Sequence, residues 1–177
     1  NNGPPGALIH LASMQPDPSD RLDQEPGTFH RYVGSNIDGT ANLLDALENN
    51  PPRQLIYTSS ISVYGRPVTN PAKETDPVIG RGIYSITKRF GEQLVELFSD
   101  RCQVTVLRLP SLYGAEQADS LIDGLARLAI KDQVIELYHR GEILRDCLHV
   151  DDAVSAIISC ISTPPEASFC CMNLGCG

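Results

Sequence analysis

Three short apolar segments, separated by stretches with helical periodicity, constrain the fold of this chain more than any other feature. They cover residues 7–12, 54–59 and 104–109, and each has the length of a buried strand rather than of a helix. Strands that alternate with helices form parallel sheets, because each helix returns the chain to the end of the sheet where the previous strand began. The sequence therefore predicts an α/β protein built on a parallel sheet.

The segments between these strands carry apolar residues at helical spacing. The first contains Val33, Ile37, Leu44 and Leu47, and the second contains Phe90, Leu94, Leu97 and Phe98. Further along, the pattern predicts a helix over residues 121–130, a strand over 134–138 and a helix over 153–161. Asp151 or Asp152 is expected to cap that last helix, since aspartate accepts hydrogen bonds from the first free amides.

Net charge excludes some classes of partner. The chain has 14 Lys and Arg against 22 Asp and Glu, which gives a net charge of −8. A negative chain lacks the electrostatic attraction that holds proteins to nucleic acids and anionic membranes, so we expect neither as a partner. No segment has the pattern of a signal peptide or of a membrane span, and we expect a cytoplasmic protein.

The cysteines do not predict a metal site. None of the 6 cysteines forms a Cys-x-x-Cys pair or lies at zinc-finger spacing from a histidine. A disulfide framework is typical of smaller secreted chains. We expect no metal, and most of the cysteines to be buried thiols.

Tyr84 and Lys88 are the sharpest candidates for chemistry. They lie four residues apart on a predicted helix and therefore share one face. Tyrosine has an ordinary pKa of about 10, and a nearby ammonium would lower it toward a range useful for moving a hydroxyl proton. Taken alone, this spacing is also typical of a solvated surface pair.

Hydroxyl residues at the end of the second predicted strand support the chemical interpretation. Residues 58–65 read Thr-Ser-Ser-Ile-Ser-Val-Tyr-Gly, and ligands of open α/β sheets bind beyond the carboxyl ends of the strands. Ser60 is the best candidate for contact with a substrate. A turn stabilised by its own hydroxyl groups explains Ser59 and Ser62 equally well.

Taken together, these motifs resemble the NAD-dependent epimerase/dehydratase family, the extended short-chain dehydrogenases. The order and spacing match over nearly the whole chain. The matching blocks are His10-Leu-Ala-Ser13, Asn36-x-x-Gly39-Thr40-x-Asn42, Ser59-Ser60-x-x-Val63-Tyr64-Gly65, Tyr84-x-x-x-Lys88, Leu107-Arg108, Tyr113-Gly114, Arg145-Asp146, His149-Val150-Asp151-Asp152 and Asn173-x-Gly-x-Gly177.

The resemblance implies a doubly wound parallel-sheet Rossmann fold, with part of a small C-terminal substrate-binding region. Residues 1–115 would be the central and later part of the NAD(P)-binding domain, and residues 116–177 the partial substrate-binding region with elements returning to that domain. A glycine-rich turn that holds the pyrophosphate is missing, and Gly3-Pro4-Pro5-Gly6 cannot replace it because proline lacks an amide proton. We therefore expect the chain to be a piece cut at both ends.

The resemblance also implies roles for individual residues. Tyr84 would be the general acid and base, Lys88 would position the nicotinamide ribose and lower the tyrosine pKa, and Ser60 would bind the reacting oxygen. The cofactor, NAD with NADP as the alternative, would contact Ala12, Ser13, Asn36, Ser59, Tyr84, Lys88 and Pro110. The substrate would contact Ser60, Ser111 and Arg145, with a surface ion pair to Asp146 or Glu142 as the alternative for Arg145.

Two departures from the family pattern narrow the expected reaction. Ser111 stands where many nucleotide-sugar enzymes carry asparagine, which leaves the substrate class open. Ile61 and Ser62 stand where sugar dehydratases carry Asp-Glu, which disfavours dehydration. We expect a homodimeric nucleotide-sugar 4-epimerase. The alternatives are a reductase or dehydrogenase of a keto-sugar or other small carbonyl substrate, and a non-catalytic dinucleotide sensor.

Overall fold

The structure is a computed structural model that describes residues 6–16, 27–65, 69–115, 121–136 and 145–175. In chain order the strands are β1 (Ala7–His10), β2 (Gln54–Ser60), β3 (Gln103–Leu109), β4 (Ser111–Tyr113), β5 (Cys147–His149) and β6 (Phe169–Asn173). The α-helices are α1 (Thr28–Tyr32), α2 (Gly39–Leu47), α3 (Ile83–Leu97), α4 (Leu121–Ile130) and α5 (Val150–Ser162), and a π-helical segment (Val33–Asp38) joins α1 to α2.

The main sheet has four parallel strands in the order β1-β2-β3-β6. On one face, Tyr57 and Val106 pack against α2 and α3. On the other face, Ile56 and Leu107 pack against Cys160 of α5. Helices thus cover both faces, and the predicted doubly wound α/β fold is confirmed. The separate pair β4 and β5 is also parallel.

Strands β4, β5 and β6 were not predicted from the sequence patterns, and β6 is the one that joins the main sheet. Its residues Phe-Cys-Cys-Met-Asn contain no β-branched side chain, so they lack the usual composition of a strand. It forms because its register places Cys171 beside Val106 of β3. The strand expected over 134–138 is wrong where it can be tested: residues 134–136 are irregular, Val134 is exposed, and 137–138 lie outside the described residues.

The buried face of α3 also differs from the expectation. Phe90 and Leu97 are 50% and 78% exposed, whereas the face toward the sheet carries Lys88, Gly91 and Glu92. A Cβ at Gly91 would lie 2.0 Å from the Tyr57 hydroxyl, so the helix backbone packs directly on that ring. Of the expected stripe, Phe98 is buried and Leu94 packs against the core, so only Phe90 and Leu97 remain outside.

Two smaller expectations change. The N-cap of α5 is His149, whose Nδ1 accepts a hydrogen bond from the Asp151 amide, while Asp151 and Asp152 lie in the first turn. Among the described cysteines only Cys160 is buried and the other four are half-buried; Cys170 and Cys171 lie on β6 at the edge of the main sheet, and Cys176 is outside the described residues.

Candidate active site

Tyr84 lies in the first turn of α3, where the helix meets the carboxyl ends of β1 and β2. Its phenol interacts with the side chains of Ser60, Ser13 and Gln15. Burial raises the pKa of Tyr84 above its ordinary value of 10, and these hydrogen bonds only partly oppose the rise. The structure thus brings the expected Tyr84 and Ser60 together, with a phenol that holds its proton at neutral pH.

Lys88 lies one turn further along α3 and is fully buried. Its Nζ is 4.3 Å from the centroid of the Tyr57 ring, and it makes no hydrogen bond to any residue in the described part of the chain. Burial lowers the pKa of Lys88 to about 8, against a smaller opposing effect of Glu92. The expectation that Lys88 lowers the tyrosine pKa needs correction, since burial dominates at Tyr84 and Lys88 is not among the groups that shift it.

This buried ammonium predicts a cost in stability. The pKa of Lys88 is about 8 in the folded protein and 10.5 when unperturbed, so below pH 8 the folded protein carries a charged amine at a cost in stability. Between pH 8 and 10.5 the amine loses its proton in the folded state but keeps it in the unfolded state, so this cost decreases as the pH rises. After allowance for the cation–π contact, we expect Lys88→Met to stabilise the complete protein by about 1–2 kcal/mol at pH 7. Chemical denaturation at pH 7 and pH 9.5 measures this. A gap between variant and parent that does not shrink at the higher pH would contradict the explanation.

Asn36 connects the end of β1 to α3 from within the π-helical segment. Its Oδ1 accepts hydrogen bonds from the Met14 amide at 2.7 Å and from the Ser13 hydroxyl at 3.3 Å. Its Nδ2 donates to the Met14 carbonyl at 3.2 Å and to the Thr87 hydroxyl at 3.0 Å. All four hydrogen-bonding positions of the amide are therefore occupied. This favours a positioning role over the direct cofactor contact expected for Asn36.

Most of the other expected cofactor residues also lie at the strand ends. Ala12 is exposed after β1, and Pro110 is buried after β3. Ser59 is buried in β2, and its hydroxyl has no hydrogen-bond partner among the described residues. Most buried polar groups in folded proteins have a partner, so this hydroxyl is available to a ligand or a water molecule.

The two remaining substrate candidates lie at the small sheet. Ser111 begins β4, directly after β3 ends, and pairs with Cys147 at the start of β5. Arg145 is exposed two residues before β5. Both therefore lie near the end of this sheet where β4 and β5 begin. Glu142, an alternative partner for Arg145, is outside the described residues.

A cleft of about 420 Å³ opens beside Tyr84. Its described lining is uncharged except for one arginine and consists of Pro16, Tyr32, Ser62, Gly65, Gly80, Arg81, Gly82, Ile83, Tyr84 and Ser85. Gly80 holds the wall in place, because its amide donates to the Val63 carbonyl at 2.8 Å and a Cβ there would lie 2.5 Å from the Ser62 carbonyl. Arg81 belongs to none of the motifs that could be recognised in the sequence.

A buried arginine network, formed by Arg108, Glu92, Tyr64 and Asn173, supports this cleft from below. Arg108 of β3 donates two hydrogen bonds to the Glu92 carboxylate of α3, at 3.0 and 2.8 Å. It also donates to the Tyr64 hydroxyl at 2.6 Å, which in turn donates to Asn173 of β6 at 2.7 Å. The network joins the helix that carries Tyr84 to the turn after Ser60. The matching motifs contain Tyr64, Arg108 and Asn173, but only their positions and not their pairing could be read from them.

Metal and membrane features were also sought. In the described ranges, no group of three or more His, Cys, Asp or Glu side chains is arranged to hold a metal ion. The helices of those same ranges are each too short or too polar to span a lipid bilayer.

Comparison with known proteins gives consistent matches. The model of the NAD dependent epimerase/dehydratase family matches residues 1–175. Protein CapI of Staphylococcus aureus is 31% identical over 137 residues, which are 75% of this chain and 41% of that protein. UDP-glucuronate 4-epimerase 2 of Arabidopsis thaliana is 28% identical over 153 residues, which are 82% of this chain and 35% of that protein.

Among solved structures, UDP-glucuronic acid 4-epimerase from Bacillus cereus in complex with NAD superposes with a TM-score of 0.83 at 25% identity. The superposition covers 96% of this chain and 53% of the other. The chain thus spans about half the length, or less, of the relatives and the structure it matches.

Proposed function

Because this chain belongs to the NAD-dependent epimerase/dehydratase family, we propose that the complete protein is an NAD-dependent 4-epimerase of a nucleotide sugar. The observation that carries the proposal is the Tyr84 phenol, held against Ser60 at the strand ends and open to a cleft. Relatives named as UDP-glucuronate 4-epimerases support the same reaction class.

The residues at the strand ends fit a dinucleotide. The Ser59 hydroxyl is buried without a partner, and the Lys88 ammonium has its hydrogen-bond donors available within the described structure. Ribose hydroxyl groups would satisfy both, so we assign Ser59 and Lys88 to the NAD ribose, and Ala12, Ser13 and Pro110 to backbone contact with the cofactor. The chemistry that bound NAD supplies is the removal and return of a hydride at the sugar carbinol carbon.

The protein's own contribution is proton transfer and orientation. In its phenolate form, Tyr84 takes the proton of the C4 hydroxyl and later returns it, while Ser60 holds the same oxygen by a hydrogen bond. Asn36 keeps Tyr84 in place through Thr87, whose hydroxyl donates to the Tyr84 carbonyl at 2.9 Å. Ser111 and Arg145, at the edge of the small sheet, are proposed to hold the nucleotide part of the substrate.

The test is turnover of nucleotide sugars in the complete protein. We expect UDP-linked hexoses or hexuronic acids to equilibrate with their C4 epimers, followed by proton NMR, without a stoichiometric change in reduced-nicotinamide absorbance. Stoichiometric absorbance change would instead identify a net reductase or dehydrogenase. Cofactor binding without turnover of any carbonyl or carbinol substrate would identify a sensor.

The exposed apolar stripe of α3 supports a homodimer. Phe90 and Leu97 face outward beside a groove of about 300 Å³ between α2 and α3, whose apolar lining includes Leu94 and Phe98. Covering this stripe with a second copy would remove apolar surface from water. The dimer, a cytoplasmic location and the division of the chain near residue 115 all belong to the proposal, and sedimentation of the complete protein tests the first.

A further inference from the structure

Arg81 is a charged group in the cleft that the proposed reaction has not yet used. It is exposed, lies three residues before Tyr84, and lines the same cleft. Within the described structure it makes no ion pair or hydrogen bond, whereas Arg101, Arg108 and Arg127 each pair with a carboxylate. Arg53, Arg89 and Arg145 also have no ion pair within the described residues, but Arg81 is the one described arginine that lines this cleft.

The backbone around Arg81 is held rigidly. Gly80 is fixed to the turn after Ser60 by its hydrogen bond to the Val63 carbonyl at 2.8 Å. On the other side, the Gly82 carbonyl accepts hydrogen bonds from the Ile86 amide at 2.9 Å and the Ser85 hydroxyl at 2.8 Å. A fixed backbone leaves only side-chain freedom to be lost when a ligand binds, which favours specific recognition.

The electrostatics of the cleft favour an anion. No acidic residue is present in the described lining, and the first turn of α3 contains none either. The N-cap Gly82 offers no side chain to the helix amides, so their positive partial charge adds to that of Arg81. Nothing described within the cleft neutralises this charge.

We propose that Arg81 binds a carboxylate on the sugar ring of the substrate, which makes the substrate a nucleotide hexuronic acid. This rests on the proposed function, because it takes Tyr84 to act at C4. The substituent nearest to C4 that carries charge in such a sugar is the carboxylate on C5. Arg81 lines the same cleft as the Tyr84 phenol and is the cationic residue of its described lining, so its guanidinium is available to this group, whereas the diphosphate is attached at the opposite end of the ring. A planar guanidinium matches a carboxylate with two parallel hydrogen bonds.

The test compares UDP-glucuronic acid with UDP-glucose, which share the diphosphate and differ in the carboxylate. In the complete protein, Arg81→Gln is expected to raise KM for UDP-glucuronic acid roughly tenfold and to change kcat/KM for UDP-glucose less than twofold. Arg81→Lys should recover part of the loss. Arg53→Gln removes an exposed arginine at the opposite end of the sheet and serves as the matched control. In a Tyr84→Phe background, which prevents turnover, Arg81→Gln should weaken the binding of UDP-glucuronic acid, measured by calorimetry, by a similar factor.

Three results would overturn the inference. Equal losses with both sugars would assign Arg81 to the diphosphate or to folding, and unchanged constants would assign it to solvent. Epimerisation of UDP-glucose but not of UDP-glucuronic acid by the parent protein would reject the acidic substrate and leave the proposed function standing. Failure of the parent protein to epimerise either sugar would reject the proposed function itself.

Discussion

Replacing Tyr84 with phenylalanine is expected to lower epimerase turnover by roughly two to four orders of magnitude, the usual contribution of a positioned acid–base group. The change removes only the hydroxyl that meets Ser60, Ser13 and Gln15. Cofactor binding and thermal stability should remain close to those of the parent protein. NMR-monitored epimerisation, fluorescence titration with NAD and thermal denaturation measure the three quantities.

The direction of the Tyr84 pKa adds a second readout. Because burial raises the pKa of Tyr84, little phenolate is present at neutral pH, and parent turnover should increase as the pH rises through the alkaline range. Any residual activity of Tyr84→Phe should lack that increase. Tyr113→Phe is the matched control, since Tyr113 packs edge-on against His149 and lies outside the cleft. Full turnover by Tyr84→Phe would show that the phenol is not the proton-transfer group.

Among the substitutions considered, removal of the Glu92 carboxylate should cause the largest loss in the free energy of unfolding. Glu92 and Arg108 have side chains only 9% and 8% exposed, and the guanidinium would be left buried without its counter-ion. We expect Glu92→Ala to lower the free energy of unfolding by about 3–5 kcal/mol. That corresponds to a decrease in Tm on the order of 10 °C for a chain of this size.

A double-mutant cycle with Arg108→Met separates the pair from its surroundings. The double variant should be less destabilised than the sum of the two single changes, because no buried charge remains. Arg101→Ala provides the contrast: the Arg101–Glu48 pair spans 3.6 Å with side chains 53% and 60% exposed. Its loss should cost less than 1 kcal/mol. Similar losses at both sites would contradict a special role for the buried pair.

The parts of the fold that the sequence predicts are those fixed by local pattern. Strands β2 and β3 are buried along nearly their whole length and contain short apolar runs, so their segments could be recognised without knowledge of their neighbours. The carboxyl ends of such strands then indicate where Ser60 should lie. The four-residue spacing of Tyr84 and Lys88 likewise depends only on helix geometry.

The remaining features depend on contacts between distant parts of the chain. From the sequence alone, Glu92 is indistinguishable from a solvated helix residue, and its buried pairing with Arg108 depends on the packing of α3 against β3. Asn36 could be recognised from the motif that contains it, but its contacts with Met14 and Thr87 depend on how the π-helical segment packs against the end of β1 and α3. The pKa of Tyr84 depends on its burial by the surrounding fold, which outweighs its hydrogen bonds to Ser60, Gln15 and Ser13. Pairwise burial of this kind leaves no mark on sequence periodicity.

The glycine at position 80 separates two properties of the cleft that could otherwise change together. Since its missing side chain lets two backbone segments touch, the outline of the wall is set by main-chain atoms. The neighbouring side chain at position 81 projects from that frame and can be exchanged without moving it. With such an arrangement, a single substitution at position 81, in evolution or by design, would change which sugars bind while Tyr84 and Ser60 keep their positions.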